Sequence, residues 1–363
     1  MNGTKTILVA PLHWGLGHAT RCIPIIQALL GTDYKVMLAS DGAALLLLRK
    51  EFPALPYVSL PSYNITYPEN GAFLKLKLLL KLPFFRKTMH SEKKVVEQLI
   101  SEGKIHGIIS DNRWGVRSTK VPSVFLTHQL NVLSGGTSYL SSKIHQKLIK
   151  KFDACWVPDV AGPENLSGKL GHLKSGSFPV NYIGVLSRMK KRKVPKVYDV
   201  LCLLSGPEPQ RTRLEQRLVS VFNNSDLPAG KQEKKVLLVR GVVETEKKTT
   251  QIGTVELVNF LQSDELEKAI NESICVVSRS GYTTIMDLTA MEKQAFFIPT
   301  PGQFEQEYLA KRLKKAGIVP SCNQKDFQEG QLNQIGDYKG LKSVNSPPDF
   351  KKLFRFFESE GKL

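Results

Sequence analysis

The chain has 363 residues, 41% of them hydrophobic and 23% charged, with a formal net charge of +18. This length accommodates two domains with separate cores, and the ordinary apolar and charged fractions exclude a disordered or fibrous chain. No apolar run approaches the ~20 residues of a membrane-spanning helix, while the basic excess favours anionic partners such as nucleotide diphosphates or anionic lipid surfaces.

No nucleic-acid-binding module is recognisable, so nucleic acid is set aside as a partner. The five cysteines are scattered, odd in number and without CxxC spacing. They read as reduced core thiols of a cytosolic protein. The N-terminus runs directly into a strand, which leads to the expectation of no signal peptide and a cytoplasmic location.

Residues 6–10 form the first expected buried strand. The turn PLHWGLGHATR (residues 11–21) leads from it into a helix expected over residues 22–30. A Gly-rich turn between strand and helix is an anion cradle. Gly15 and Gly17 shape it and His18 adds a titratable ring; plain helix capping is the other reading of His18. A dinucleotide reading would pair Gly15 and Gly17 with Asp41, which comes after the next strand (residues 35–40). Thr20 opposes it, standing where a third glycine would let the helix pack closely.

An apolar helix over residues 41–52 and a short strand over residues 57–60 come next. Residues 72–87 (AFLKLKLLLKLPFFRK) crowd leucine and phenylalanine with lysine and arginine alone. They read either as a core helix with solvated lysines or as a segment docking on anionic membrane; Phe73 to Lys87 is the stretch concerned. Strands over residues 105–110 and 121–126 end at Asp111 and close to His128. Three strand ends therefore present His18, Asp111 and His128, where an open α/β sheet places its ligand contacts. A basic helix (residues 143–151) and strands at residues 154–158 and 181–184 complete a first domain, residues 1–184. The charged, proline-containing run at residues 185–197 reads as a solvated linker.

The second domain, residues 198–345, restarts the strand pattern at residues 198–204. A turn containing Gly206 leads into a helix with Arg211 and Arg213 in its first turns. The strand over residues 236–239 ends at Arg240, and that over residues 255–261 contains Phe260. Ser263 is expected to N-cap the following helix. A strand at residues 274–277 breaks at Ser278-Arg279-Ser280-Gly281, and a helix starts at Tyr282. The Gly281 turn offers free helix N–H groups to phosphate, and Asp287, six residues on, suits ribose hydroxyls. After a strand at residues 295–298, Gln306 and Glu307 lead into another helix; amide and carboxylate match sugar hydroxyls. An amphipathic helix at residues 349–357, within the segment 346–363, closes the chain.

Arg279, Ser280, Gly281, Thr284 and Asp287, then Pro299, then Gln306, Glu307 and Tyr308 resemble the C-terminal half of glycosyltransferase family 28. That family carries Arg-Ser-Gly-x-x-Thr-x-x-Glu, a strand ending in Pro, and a Gln-Gln-Tyr type run. Gly15, Gly17 and His18 match the end of its Gly-x-Gly-Gly-His loop, and His128 and Asn131 the ends of its His-Glu-Gln-Asn. Two positions depart: Asp287 replaces Glu, and Glu307 stands for the second Gln, which leaves the sugar open.

The resemblance implies an α/β protein of GT-B architecture, two Rossmann-like parallel-sheet domains facing a central cleft, with the closing helix crossing back to the first domain. It implies a monomeric, inverting enzyme moving a hexose or N-acetylhexosamine from a UDP-sugar to a glycan or lipid-linked acceptor, peripheral on the inner face of the cytoplasmic membrane. Donor binding would fall to Gly206, Arg240, Phe260, Arg279, Ser280, Gly281, Thr284, Asp287, Gln306 and Glu307. Gly15, Gly17 and Asn131 would form the acceptor and phosphate loop. The base would be His18, whose ordinary pKa of about 6.5 suits the task, with Asp111 or His128 as orienter or substitute. The chain has no Asp-x-Asp, so no catalytic metal and no cofactor are expected, with amides and Arg279 in the metal's place. Two other readings stand: a UDP-sugar 2-epimerase of the same architecture, using Glu305 and Glu307, and a non-catalytic sugar-nucleotide-binding subunit.

Overall fold

The computed structural model describes residues 4–64, 82–173, 178–223, 234–344 and 347–358. These fall into two compact units. The first takes the described residues up to Ser187 together with the C-terminal tail, and the second takes residues 188–344.

In the first unit, β1 (Thr6–Pro11), β2 (Lys35–Ser40), β3 (Tyr57–Ser59), β4 (Gly107–Asp111), β5 (Ser123–Leu126), β6 (Ala154–Val157) and β7 (Asn181–Tyr182) form one sheet in the order β3-β2-β1-β4-β5-β6-β7. Every pairing is parallel. Apolar runs such as ILVA and GIIS are wholly buried, as parallel strands require. The chain fills one side of β1 with β2 and β3 before β4 enters on the other side. The carboxyl ends of β1 and β4 therefore flank the point where strand order reverses, which is where such sheets hold ligands.

The helices of this unit are α1 (Gly17–Leu30), α2 (Gly42–Glu51), α3 (Leu82–Ser101) and α4 (Ser138–Ile149). Helix α1 begins five residues before the expected start at Cys22 and runs through Pro24. A proline at the eighth helical position cannot donate to the carbonyl of Thr20. The helix already holds by then, with the Thr20 amide bonded to the Leu16 carbonyl at 2.9 Å. The consequence is functional: His18 and Arg21 share the first turn of α1 instead of a loop. Of the basic, apolar stretch Phe73–Lys87, the part up to residue 81 lies outside the described residues. Its remainder forms the start of α3, where Phe84 is exposed and Phe85 lies 5.9 Å from the Tyr63 ring. Among the described residues no helix is long and apolar enough to cross a membrane.

The second unit contains β8 (Tyr198–Leu203), α5 (Gln210–Phe222), β9 (Val236–Val239), β10 (Thr249–Ile252), β11 (Val255–Val258), α6 (Ser263–Glu272), β12 (Ser273–Ser278), α7 (Tyr282–Ala290), β13 (Ala295–Phe297) and α8 (Phe304–Lys315). Its sheet runs β10-β11-β9-β8-β12-β13. Only the exposed edge strand β10 is antiparallel; the sequence pattern did not point to it, because none of its residues is buried. Here β8 and β12 flank the reversal of strand order. Gln262, not Ser263, caps α6, in a capping box with Glu265.

The basic run expected as a free linker is tied to α6 from residue 190 on. Glu267 accepts from the Lys190 amide and the Arg192 Nε, each at 2.8 Å, and Asn271 accepts from the Arg192 amide at 2.8 Å. Two acceptors on one helix face fix the run.

The C-terminal tail, helix Phe350–Phe354 and one further turn to Phe357, packs on the first unit. Phe357 lies so close to β4 that a Cβ at Gly107 would sit 2.6 Å from its ring. The Tyr34 hydroxyl donates to the Phe354 carbonyl at 3.1 Å, and Lys5 Nζ to the Phe357 carbonyl at 3.0 Å.

Candidate functional site

The carboxyl ends of β1, β4 and β5 converge on a buried cluster of four ionisable side chains. Arg21 and Asp111 are 2% and 0% exposed, and His128 is 5% exposed. Arg21 Nε donates to Asp111 Oδ2 at 2.5 Å, and its NH2 group reaches Oδ1 of the same carboxylate. This is a bidentate pair, the strongest geometry open to a guanidinium. His18 Nδ1 lies 2.8 Å from Asp111 Oδ1. Arg21 NH2 also lies 2.8 Å from this Nδ1; the tautomer in which Nδ1–H donates to the carboxylate leaves Nε2 of His18 as an acceptor. On the other side, Arg21 NH1 donates to His128 Nδ1 at 2.7 Å, so His128 carries its proton on Nε2.

The electrostatics come from burial opposed by charge. Burial pushes the His18 pKa down; the Asp111 carboxylate pulls it up, Arg21 and His128 push it down again, and the balance is below the ordinary value. Burial alone would raise the Asp111 pKa, but Arg21 and then His18 overcome it and bring it down to about 2. At neutral pH the cluster therefore presents a carboxylate behind a neutral imidazole. That is the arrangement of a base with its orienting acid. Arg21 was not singled out for this role from sequence. Its signal was the i, i+3 spacing from His18, readable only once the helix is known to start at Gly17.

A second buried network lies beside the first. Arg113, 0% exposed, donates to Glu92 Oε1 at 2.8 Å and pairs with Asp41. Glu92 Oε2 accepts from the Tyr63 hydroxyl at 2.7 Å and the Gly115 amide at 3.0 Å. Asp41 also faces His13 Nδ1 at 3.2 Å. With a guanidinium and an imidazole already on its carboxylate, Asp41 is not placed as the ribose acid of a dinucleotide site.

Asn131, expected in the acceptor loop, points elsewhere. Its amide nitrogen donates to the carbonyls of Lys169 (2.6 Å) and His172 (3.1 Å). It clamps two loops of the first unit and does not join the His18 cluster. Gly15, at φ +83°, has open space around its Cα, with nothing within 4 Å of a Cβ built there. Gly17 is the first residue of α1.

The second unit carries its candidate site on the loops after β8 and β12. Gly206 has φ +98° and nothing near an added Cβ, so it leaves backbone open at the switch point. Gly281 is the N-cap of α7, with no side chain capping the helix. A Cβ there would meet only Thr284 Oγ1, at 3.9 Å. The fold itself does not demand glycine at 281; an anion approaching the helix N-terminus would. Asp287, 8% exposed, lies in the second turn of α7.

Six expected donor residues are engaged internally. Arg279, 0% exposed, is not free to replace a metal: NH1 donates to the carbonyls of Ile298 and Pro299, and NH2 to the Gln210 carbonyl and the Gln324 side chain, at 2.7–3.1 Å. Burial lowers its pKa to about 9, so it remains a cation pinning three loops together. Gln306 Oε1 accepts from the Thr300 amide, and its carbonyl from the Ser280 hydroxyl, each at 2.8 Å; both Gln306 and Ser280 are buried. The Phe260 amide donates to Asn259 Oδ1 at 3.0 Å. Arg240 pairs with Glu215 at 2.9 Å. Glu307 is exposed and accepts from the Gly302 amide at 2.8 Å. Among the described residues no three His, Cys, Asp or Glu side chains are grouped to hold a metal ion.

Residues 212–343, within the second unit, match the Glycosyltransferase family 28 C-terminal domain. The chain is 25% identical over 249 residues to the UDP-N-acetylglucosamine--N-acetylmuramyl-(pentapeptide) pyrophosphoryl-undecaprenol N-acetylglucosamine transferase of Buchnera aphidicola. That match spans 65% of this chain and 60% of the relative. Among solved structures, Acinetobacter baumannii MurG is similar with a TM-score of 0.51 at 15% identity, over 92% of this chain and 90% of that one. The glycosyltransferase SnogD of Streptomyces nogalater is similar with a TM-score of 0.60 at 13% identity, over 98% and 99%. These likenesses establish the fold: it is the GT-B fold of glycosyltransferases.

Proposed function

We propose that the chain is a UDP-sugar-dependent glycosyltransferase that works with inversion and without a metal. The observation that carries the reading is the His18–Asp111 contact at the switch point of the first sheet, with Arg21 holding the carboxylate. An acceptor hydroxyl gives its proton to His18 Nε2 as its oxygen bonds to the anomeric carbon. The bond from that carbon to the UDP oxygen breaks on the opposite face. Asp111 keeps Nδ1–H in place and stabilises the imidazolium that forms. The departing diphosphate gains negative charge, which the amides at Gly281 and Gly206 are disposed to meet, and Asp287 takes the ribose hydroxyls.

The Buchnera relative is named for a pyrophosphoryl-undecaprenol acceptor. By analogy we assign a polyprenyl-linked acceptor here, met at the cytoplasmic face of a membrane. Incubating the protein with a panel of UDP-sugars, with and without polyprenyl-diphosphate acceptors, and measuring UDP release tests the reading. Acceptor-dependent UDP release is the expected result. UDP binding without release, across the whole panel, would leave only a binding subunit.

A further inference from the structure

Helices α5 and α8 and the loop after residue 320 enclose a groove of about 890 Å³ on the second unit. Arg213 and Arg217 line it from α5, Lys311 and Lys314 from α8, and Lys325 from the loop; Glu307 is the one carboxylate in the lining. The spacings i, i+4 and i, i+3 put each helical pair on one face of its helix. Among the described residues none of these five cations is in an ion pair. Arg217 donates to the Phe327 carbonyl at 2.7 Å, and Lys314 to the Ser321 carbonyl at 2.8 Å. The Arg217 Nε is buried without a hydrogen-bond partner.

Five cations against the single carboxylate of Glu307 leave the groove strongly positive, and a cleft with such an excess concentrates its field on an entering ion. A surface that merely kept the protein soluble would intersperse its charges. The groove has the volume of a drug-sized ligand site, and its concavity between two helices suits an inserted group more than a flat surface. Arginine forks match phosphate oxygens in pairs, with lysines as point charges beside them. We propose that this groove is a second anion site, taking a phosphorylated ligand that carries two or more negative charges. Neither Gly206 nor Gly281 is in its lining, and it stands whether or not the proposed transferase activity does.

The test is calorimetry on the full chain with inorganic pyrophosphate, with variants of the groove separating its contribution from that of the donor loops. Binding that weakens with salt is expected. Arg213→Gln/Lys311→Gln/Lys325→Gln should weaken it at least about tenfold, roughly the worth of one charge-assisted hydrogen bond. All three positions are exposed, and Arg213→Gln alone gives the same reading if the triple variant is unstable. Lys351→Gln/Lys352→Gln, on the tail helix, is the control for bulk charge. A second arm uses phosphatidylcholine vesicles with and without phosphatidic acid. Variant-sensitive binding to pyrophosphate identifies a free phosphate ligand; variant-sensitive binding to the vesicles alone identifies a lipid headgroup. No binding in either arm, or equal loss in the control variant, overturns the proposal.

Discussion

The two units build ligand edges at the same topological place with different materials. In the first, the reversal of strand order lies between β1 and β4, and side chains dominate it: His18, Arg21, Asp111 and His128 within hydrogen-bonding reach of one another. In the second it lies between β8 and β12, and backbone dominates: Gly206 and Gly281 leave open peptide, while Arg279 is pulled inward to hold the loops. One edge is equipped to move a proton and the other to hold an anion. A shared architecture fixes where a site sits, and the residues at the strand ends fix what it can do.

The sharpest way to break this contrast is at His18. His18→Ala should lower turnover by about 10²–10⁴-fold and leave UDP affinity unchanged, since the nucleotide is assigned to the second unit. Turnover within a factor of a few of wild type would remove His18 from the chemistry. The pH profile adds a sign. The folded pKa of His18 lies below 6.5, and only the neutral ring accepts a proton. Activity should therefore rise with pH through a midpoint below 6.5 and be flat above neutrality; a midpoint above 6.5 counts against the assignment. The same shift makes the buried neutral ring a stabilising feature above pH 6.5, lost as pH falls through the folded pKa.

Next in size is the removal of Asp111. Arg21 would then be a buried cation without its partner, at a cost of about 3–5 kcal/mol. Chemical denaturation of Asp111→Ala should show that loss. Arg21→Met/Asp111→Leu should recover most of it while staying inactive. A double variant as unstable as the single one would mean that packing, and not the ion pair, governs the site.

Much of this was legible in the sequence, for a physical reason. Buried parallel strands are short apolar runs, and the polar residues that end them mark the ligand edge; hence His18, Asp111 and His128 could be brought together from strand ends alone. What stayed hidden was hydrogen-bond destination. Asn131 and Arg279 look like ligand residues because both are polar at strand ends, yet each serves backbone carbonyls inside its unit. Arg21 was the reverse case. Pro24 favours a late helix start, which left Arg21 in an imagined loop, whereas the helix runs through the proline and sets Arg21 one turn from His18. Edge strand β10, exposed throughout, has no apolar period to read.

On the anion-binding edge, Asp287 should outweigh its neighbours. Asp287→Ala should weaken UDP binding by roughly 1.5–3 kcal/mol, the worth of a hydrogen bond to a charged group. Arg279→Met should instead lower stability, because three loops lose their common donor. If calorimetry instead finds UDP affinity untouched in a folded Asp287→Ala, the ribose must lie elsewhere.

The smallest expected effect separates a glycine kept for folding from one kept for a ligand. Gly281 has φ −70° and ψ 140°, a conformation any residue adopts, and an added Cβ would touch nothing closer than 3.9 Å. Gly281→Ala should therefore leave stability within about 0.5 kcal/mol of wild type. Gly206, at φ +98°, is a position where alanine is strained, and Gly206→Ala should cost about 1 kcal/mol or more. If a diphosphate sits on the N-terminus of α7, the Gly281→Ala methyl intrudes on it, and UDP affinity should fall by about tenfold, or 1.4 kcal/mol. Thermal melts and UDP titrations of both variants decide the matter. Full UDP affinity in Gly281→Ala would move the phosphates off this helix end and leave the Gly206 loop as their seat.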